Sequence, residues 1–151
     1  MKLLKSETAR TVALVCITAV IALAIVWVNT YQRCRREYLA GEQYFEQQEH
    51  LKAITAYETA IHAYTPWNGM IPASARRLWE IALEREHNGD VEMALIALRS
   101  LRSSFYAVRS LYTPYPEWIR RSEAKIDELV ALQNKGRWLD KRAPESAPVP
   151  E

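Results

Sequence analysis

An uncharged apolar stretch near the amino terminus constrains this chain more than any other feature. The segment from Val12 to Val28, VALVCITAVIALAIVWV, contains no charged residue, no glycine and no proline. With its flanks it covers residues 12–31, and a helix of about 20 residues is about 30 Å long, which matches the hydrocarbon core of a bilayer. Trp27 and Tyr31 lie at its end, where interfacial aromatic side chains are expected. The sequence therefore predicts a transmembrane helix with a lipid bilayer as its partner.

A cleaved signal peptide is the alternative interpretation of this stretch. The apolar region of such a peptide has about 7–15 residues and is followed by a cleavage site with small residues. The present run is longer, and the sequence VNTYQRC at its end has no small-x-small site. These differences favour a retained, single-pass membrane anchor.

The orientation of the anchor depends on the charges at its two ends. Basic residues lie on both sides: Lys2, Lys5 and Arg10 in the tail at 1–11, and Arg33, Arg35 and Arg36 after the span. By the positive-inside rule the two groups nearly cancel. Because short basic tails usually stay inside, we expect the inner membrane of a bacterial-type cell, with the rest of the chain on the periplasmic side. Cys34 argues against this orientation, since an unpaired thiol would then face an oxidising compartment.

The rest of the chain is expected to be all-α. It contains few glycines, and its Ala-, Glu- and Arg-rich composition favours helices. Helices are predicted at 32–48, 50–64, 73–87, 91–112 and 116–133, with a loop at 65–72 and a disordered Pro-rich tail at 134–151. No glycine or proline separates the span from the first of these helices, so a continuous helix from the membrane into the domain at 32–133 is expected. The net charge of +2 is spread evenly, which argues against a nucleic-acid partner.

Small and aromatic residues recur in a pattern across the first two of these helices. The pattern consists of Gly41, Tyr44, Ala53, Tyr57, Ala60 and the closing Pro66. It resembles the tetratricopeptide repeat (TPR), a helix–turn–helix unit of about 34 residues. The resemblance covers residues 34–67 and a second unit at 75–108, in which Ala82, Ala94 and Leu98 take the packing positions. It implies a small TPR-like domain of stacked helical hairpins with these residues packed between the helices.

The number of repeats bears on how this domain would bury its apolar faces. Two repeats are fewer than such a stack normally needs. We therefore expect the helix at 116–133 to serve as a carboxy-terminal capping helix. The alternative is an ordinary helical bundle whose alanines fall at these intervals.

The resemblance also implies a binding site. In this family the first helix of each unit lines a concave groove that holds a peptide or a partner helix. The corresponding positions are Arg35, Tyr38, Glu42 and Phe45 in the first unit and Arg76, Trp79, Leu83 and Glu86 in the second. An arginine near an aromatic residue recurs in both units and suits stacking and carboxylate binding. The alternative is that the aromatic side chains pack in the core and the arginines are solvated.

The remaining candidate residues form no catalytic or metal-binding pattern. His50, His62 and His87 are scattered without metal-ligand spacing, so surface or capping positions are expected for them. The sequence has no glycine-rich phosphate loop and no nucleophile motif. We therefore expect no enzymatic activity, no cofactor, no metal and no small-molecule substrate. One interpretation of Cys34 is that the adjacent arginines lower the pKa of its thiol, which would suit palmitoylation or disulfide formation, and the alternative is an inert thiol. Trp138 in GRWLDKR is interpreted either as a docking motif or as a frayed helix end.

These features together predict a scaffold function rather than a catalytic one. The first hypothesis is a membrane-anchored protein-interaction adaptor or assembly factor that binds a partner protein near the membrane. The alternative is a structural accessory subunit of a multi-subunit membrane complex, packed through its transmembrane helix. The sequence names neither the partner nor the process.

Overall fold

The computed structural model describes the backbone of residues 2–110 and 112–140 and the side chains of 9–110 and 112–135. Its helices are α1 (Lys2–Glu46), α2 (His50–His62), α3 (Met70–His87), α4 (Val91–Ala107) and α5 (Pro116–Asp140). No strand occurs within these ranges. The prediction of an all-α fold is therefore confirmed.

Helix α1 is one uninterrupted helix of 45 residues. It is long enough and apolar enough to cross a membrane, and none of its most apolar window is buried inside the protein. Its second half belongs to the folded domain, where Cys34 and Gly41 are buried. The continuity follows from the sequence, because no glycine or proline interrupts the chain between Val28 and Ala40.

The loop between α2 and α3 is shifted from its predicted position. Helix α2 ends at His62 rather than at residue 64, and α3 begins at Met70 rather than at residue 73. Pro72 therefore lies inside the first turn of α3. The missing N–H group of a proline costs no hydrogen bond there, because the first N–H groups of a helix have no intrahelical partner.

The last two helices also have different ends from those predicted. Helix α4 ends at Ala107 rather than at residue 112, because the chain must reverse direction before α5 packs against α4. Tyr115 has a φ of 49°, and its ring lies 5.8 Å from that of Phe105. Helix α5 continues to Asp140 instead of ending at 133, so part of the tail predicted to be disordered is helical. Trp138 lies within this extension, and residues 141–151 lie outside the described range.

Successive helices pack against one another around a single core. Helix α1 contacts α2, α2 contacts α3, α3 contacts α4, and α4 contacts α5. Further contacts place α1 beside α3 and α2 beside α4. Among the residues predicted for repeat packing, those that the structure buries are Gly41, Ala53, Tyr57, Ala60, Ala82, Ala94 and Leu98. Tyr44 is half-buried, and the ammonium group of Lys52 lies 5.6 Å from its ring centre.

The closest approach between helices is at Gly41. A Cβ atom built on Gly41 would lie 2.6 Å from Cε1 and 2.8 Å from Cδ1 of Tyr57. The ring of Tyr57 is fully buried, so it has little room to move. Only glycine allows α1 and α2 to pack at this distance.

Candidate partner-binding surface

The residues predicted to line a groove lie in three different environments. Glu42 and Phe45 belong to a network that joins α1, α2 and α3. Trp79 and Glu86 contact α5. Tyr38 and the exposed Arg76 line an open crevice between α1 and α3.

The network joining α1, α2 and α3 is centred on the Glu42 carboxylate. Its Oε1 accepts hydrogen bonds from Tyr57 Oη at 2.6 Å and Arg77 Nε at 2.8 Å. Its Oε2 accepts a bond from Arg77 Nη2 at 2.6 Å, so the arginine binds in a bidentate manner. Burial alone would raise the pKa of Glu42, but the hydrogen bonds from Arg77 and Tyr57 lower it below its ordinary value. Glu42 therefore ties three helices together as a carboxylate.

Aromatic rings pack on both sides of this ion pair. The guanidinium of Arg77 lies 5.1 Å from the ring centre of Phe45, a cation–π contact. The ring of Tyr38 lies 6.0 Å from that of Tyr57. The contact with Phe45 and the bonds to Glu42 hold Arg77 in place, and its Nη1 also donates to Glu80 Oε2 at 3.0 Å.

Trp79 and Glu86 are engaged by the last helix. The rings of Trp79 and Trp118 are 6.2 Å apart, and the guanidinium of Arg121 lies 5.0 Å from the centre of each. Glu86 accepts a hydrogen bond from Lys125 Nζ at 2.8 Å. Side chains expected to face a partner thus contact α5 of the same chain.

One surface that stays open is a polar crevice between α1 and α3. It has a volume of about 290 Å³ and is lined by Tyr38, Ala73, Arg76, Arg77 and Glu80. Arg76 and Glu80 are exposed at its rim. Leu83, one helical turn beyond Glu80 on α3, is 41% exposed. The crevice itself is polar and charged, and Leu83 is not among the residues that line it.

Arg35 lies outside the polar crevice, where it is exposed. Arg77 was not among the predicted groove residues, although it lines the crevice and forms an ion pair with Glu42. The sequence prediction assigned the groove position to its neighbour Arg76. Consecutive side chains on a helix point about 100° apart, so the two arginines face different directions. The only feature of the sequence that pointed to Arg77 was its position next to Arg76.

Cys34 is a buried thiol. Its side chain is 0% exposed. Burial raises the pKa of Cys34 while a hydrogen bond with Asn68 opposes this change, so the expectation of a lowered pKa is wrong. The flanking arginines are exposed and turn away from it. A buried thiol with a raised pKa is poorly nucleophilic.

His50 differs from the other two histidines because it is buried at the start of α2. Its Nε2 lies 3.0 Å from Gln48 Oε1 and also contacts the guanidinium of Arg85. Burial and then the charge of Arg85 lower the pKa of His50, although Glu84 and Asp90 act in the opposite direction. Surface or capping positions were expected for the three histidines; His50 lies at the helix start but is not at the surface, whereas His62 and His87 are exposed.

The lowered pKa of His50 predicts that mild acid destabilises the fold. Below the ordinary value of 6.5, the unfolded chain binds a proton that the folded chain does not, so stability falls as pH falls through this value. We expect the urea midpoint of the full-length protein in detergent micelles to decrease between about pH 7.5 and about pH 5.5, above the range where carboxylates titrate. His50→Gln should flatten this dependence, whereas the exposed control His62→Gln should retain it. Equal slopes in both variants would contradict the prediction.

No group of three or more His, Cys, Asp or Glu residues that could hold a metal ion occurs in the described part of the chain. No protein-family model, curated protein or solved structure matches this sequence.

Proposed function

We propose that this protein is a single-pass membrane-anchored adaptor that holds a partner protein near the membrane without catalysing a reaction. The proposal places the anchor in an inner membrane and the domain on its periplasmic side. Its support at the membrane end is α1, because none of the most apolar window of this helix is buried within the described chain. Membrane attachment would raise the effective concentration of a partner that is itself at the membrane.

A TPR-like arrangement of the domain is part of this proposal. The packing of α1 with α2 and of α3 with α4, together with the lateral contacts between α1 and α3 and between α2 and α4, is consistent with two stacked hairpins. Helix α5 would then be the cap, since it covers one side of the second hairpin through Trp118 and Lys125. In this arrangement α1 and α3 are the first helices of the two units.

The observation that carries the proposal is the polar crevice between α1 and α3. It is lined by Arg77, which is held by its ion pair with Glu42, and by the exposed Arg76 and Glu80. A side chain that is already held in place lowers the entropic cost of binding. Arginine and tyrosine, which line this crevice as Arg76 and Tyr38, are also enriched among the residues that dominate interfaces.

The direct test is photo-crosslinking of the full-length protein in its native membrane. A photoreactive residue at position 76 or 83 should capture a partner protein, identified by mass spectrometry. The same residue at position 99, which is exposed on α4, is the control and should capture much less. Equal capture at all three positions would contradict the assignment of the crevice as the binding surface.

The accessory-subunit alternative is favoured by a different surface. Ile21, Ala24, Ile25 and Val28 lie on the membrane-facing half of α1 and line a shallow apolar depression. Crosslinks from residue 24 to a stoichiometric set of membrane proteins, with none from residue 76, would support this function instead.

A further inference from the structure

The loop between α2 and α3 presents an isolated tryptophan. Trp67 is 99% exposed, although large aromatic side chains are normally at least partly covered. Its φ is 59°, a left-handed conformation that residues other than glycine rarely adopt unless the surrounding structure holds them in it. The chain therefore holds this side chain away from the domain.

The rest of the loop is firmly attached to the domain. Thr65 and Asn68 are both buried, and Asn68 Nδ2 donates to Thr65 Oγ1 at 3.0 Å. Asn68 Oδ1 also accepts from the Met70 backbone N–H at 3.0 Å at the start of α3. Residues on both sides of Trp67 are thus fixed, so its exposure is built into the loop.

The loop lies beside the end of the apolar segment. Tyr64, Thr65 and Pro66 line one wall of a crevice of about 550 Å³. Leu23, Trp27 and Thr30 of α1 belong to the opposite wall. These α1 residues are in the last turns of the segment predicted to span the membrane, so the loop is level with one face of the bilayer.

We propose that the loop at 63–69 is a second membrane-contact element, with Trp67 seated at the boundary between lipid headgroups and acyl chains. This inference rests on the proposed membrane anchoring of α1. It goes further, because it makes one end of the folded domain part of the membrane-bound surface. The crevice beside Trp27 is then filled by lipid acyl chains.

The chemistry of the loop fits lipid better than water. The sequence AYTPWNG at 63–69 contains no charged residue, and tryptophan and tyrosine are enriched at membrane interfaces because one end of each ring is polar. Tyr112 is 57% exposed, and its hydroxyl lies 2.7 Å from that of Tyr64. Trp27 stacks on Tyr31 at 5.6 Å nearby on α1. Aromatic residues of two loops and of the anchor thus lie near the same level.

The test uses full-length protein in phosphatidylcholine–phosphatidylglycerol vesicles with acyl chains brominated at a shallow or a deep carbon. Bromine quenches tryptophan fluorescence on contact. The Trp27→Phe variant keeps Trp67, so its quenching above the baseline comes from Trp67. The Trp67→Phe variant keeps Trp27, so its quenching above the baseline comes from Trp27. The double variant provides the baseline from the remaining tryptophans.

We expect the Trp27→Phe variant to lose more emission than the double variant, and more in shallow-brominated than in deep-brominated vesicles. A matched control places a tryptophan at exposed Leu51 in the double variant. That position is beside the far end of α1, about 27 Å from the end of the apolar segment, and should show only baseline quenching.

The outcomes separate this inference from the anchoring on which it rests. If Trp27 is quenched and Trp67 shows only baseline quenching, the loop is not at the membrane and the inference is overturned while the anchor stands. Stronger quenching of Trp67 by deep-brominated lipid would overturn its placement at the boundary. If neither tryptophan is quenched, the anchoring fails and the inference fails with it.

Discussion

The Tyr57→Ala variant is expected to lose about 3–5 kcal/mol of its free energy of unfolding, the cost typical of removing a large aromatic side chain from a core. The Tyr57 ring is fully buried between α1 and α2 and contacts the ring of Tyr38. Its hydroxyl donates to Glu42, so truncation also removes one hydrogen bond of the network. Chemical denaturation of the full-length protein in detergent micelles measures this loss.

The matched control for this variant is Tyr57→Phe. It keeps the ring and removes only the hydroxyl, whose bond to a charged group is worth about 1.5–3 kcal/mol. Glu42 retains both bonds from Arg77 in this variant. If Tyr57→Phe destabilises the protein as much as Tyr57→Ala, the ring is not the main source of stability at this position.

The second large effect is expected at Gly41. A Cβ atom at this position would lie 2.6 Å from the Tyr57 ring, and overpacking of this kind costs about 1–3 kcal/mol. Alanine recovers part of that cost through a helix propensity about 1 kcal/mol better than that of glycine. We expect Gly41→Ala to lower the free energy of unfolding, and Gly41→Leu to lower it further.

The chain offers a control at Gly69, where an added Cβ atom would meet nothing within 4 Å. Gly69→Ala should be nearly neutral. A double-mutant cycle adds a sharper test, because residues in contact show non-additive effects. In the Tyr57→Ala background, Gly41→Ala should become neutral or stabilising, and a cost that persists there would mean that the Tyr57 ring is not the obstacle.

Patterns of residue type predicted the parts of the fold that depend on local sequence. The absence of charge from Val12 to Val28 predicted an apolar helix, and the lack of helix breakers after it predicted the continuity of α1. The small residues Ala53 and Ala60 indicated that their helix approaches closely the helix that carries Gly41. Each of these features depends on steric or solvation effects that act within a few turns of helix.

The candidate site is formed by helices that lie side by side in the fold. The sequence contains little information about which helices these are. Glu42 and Arg77 are 35 residues apart and pair only because α1 and α3 lie side by side. Trp79 was expected in a groove, but α5 packs its own tryptophan against it. Helix ends were also difficult to predict, because Pro72 is compatible both with a loop and with the first turn of a helix.

Because α1 is unbroken, tilting its apolar segment moves the other end of the helix. Glu46 lies about 27 Å beyond Val28 along the helix axis, and no flexible joint separates them. With α1 anchored as proposed, a bilayer thinner than its apolar segment would be accommodated by tilting of the helix, and a change of about 10° in tilt would displace Glu46 by about 5 Å. A rigid rod thus converts hydrophobic mismatch into a sideways movement of whatever is bound at its far end.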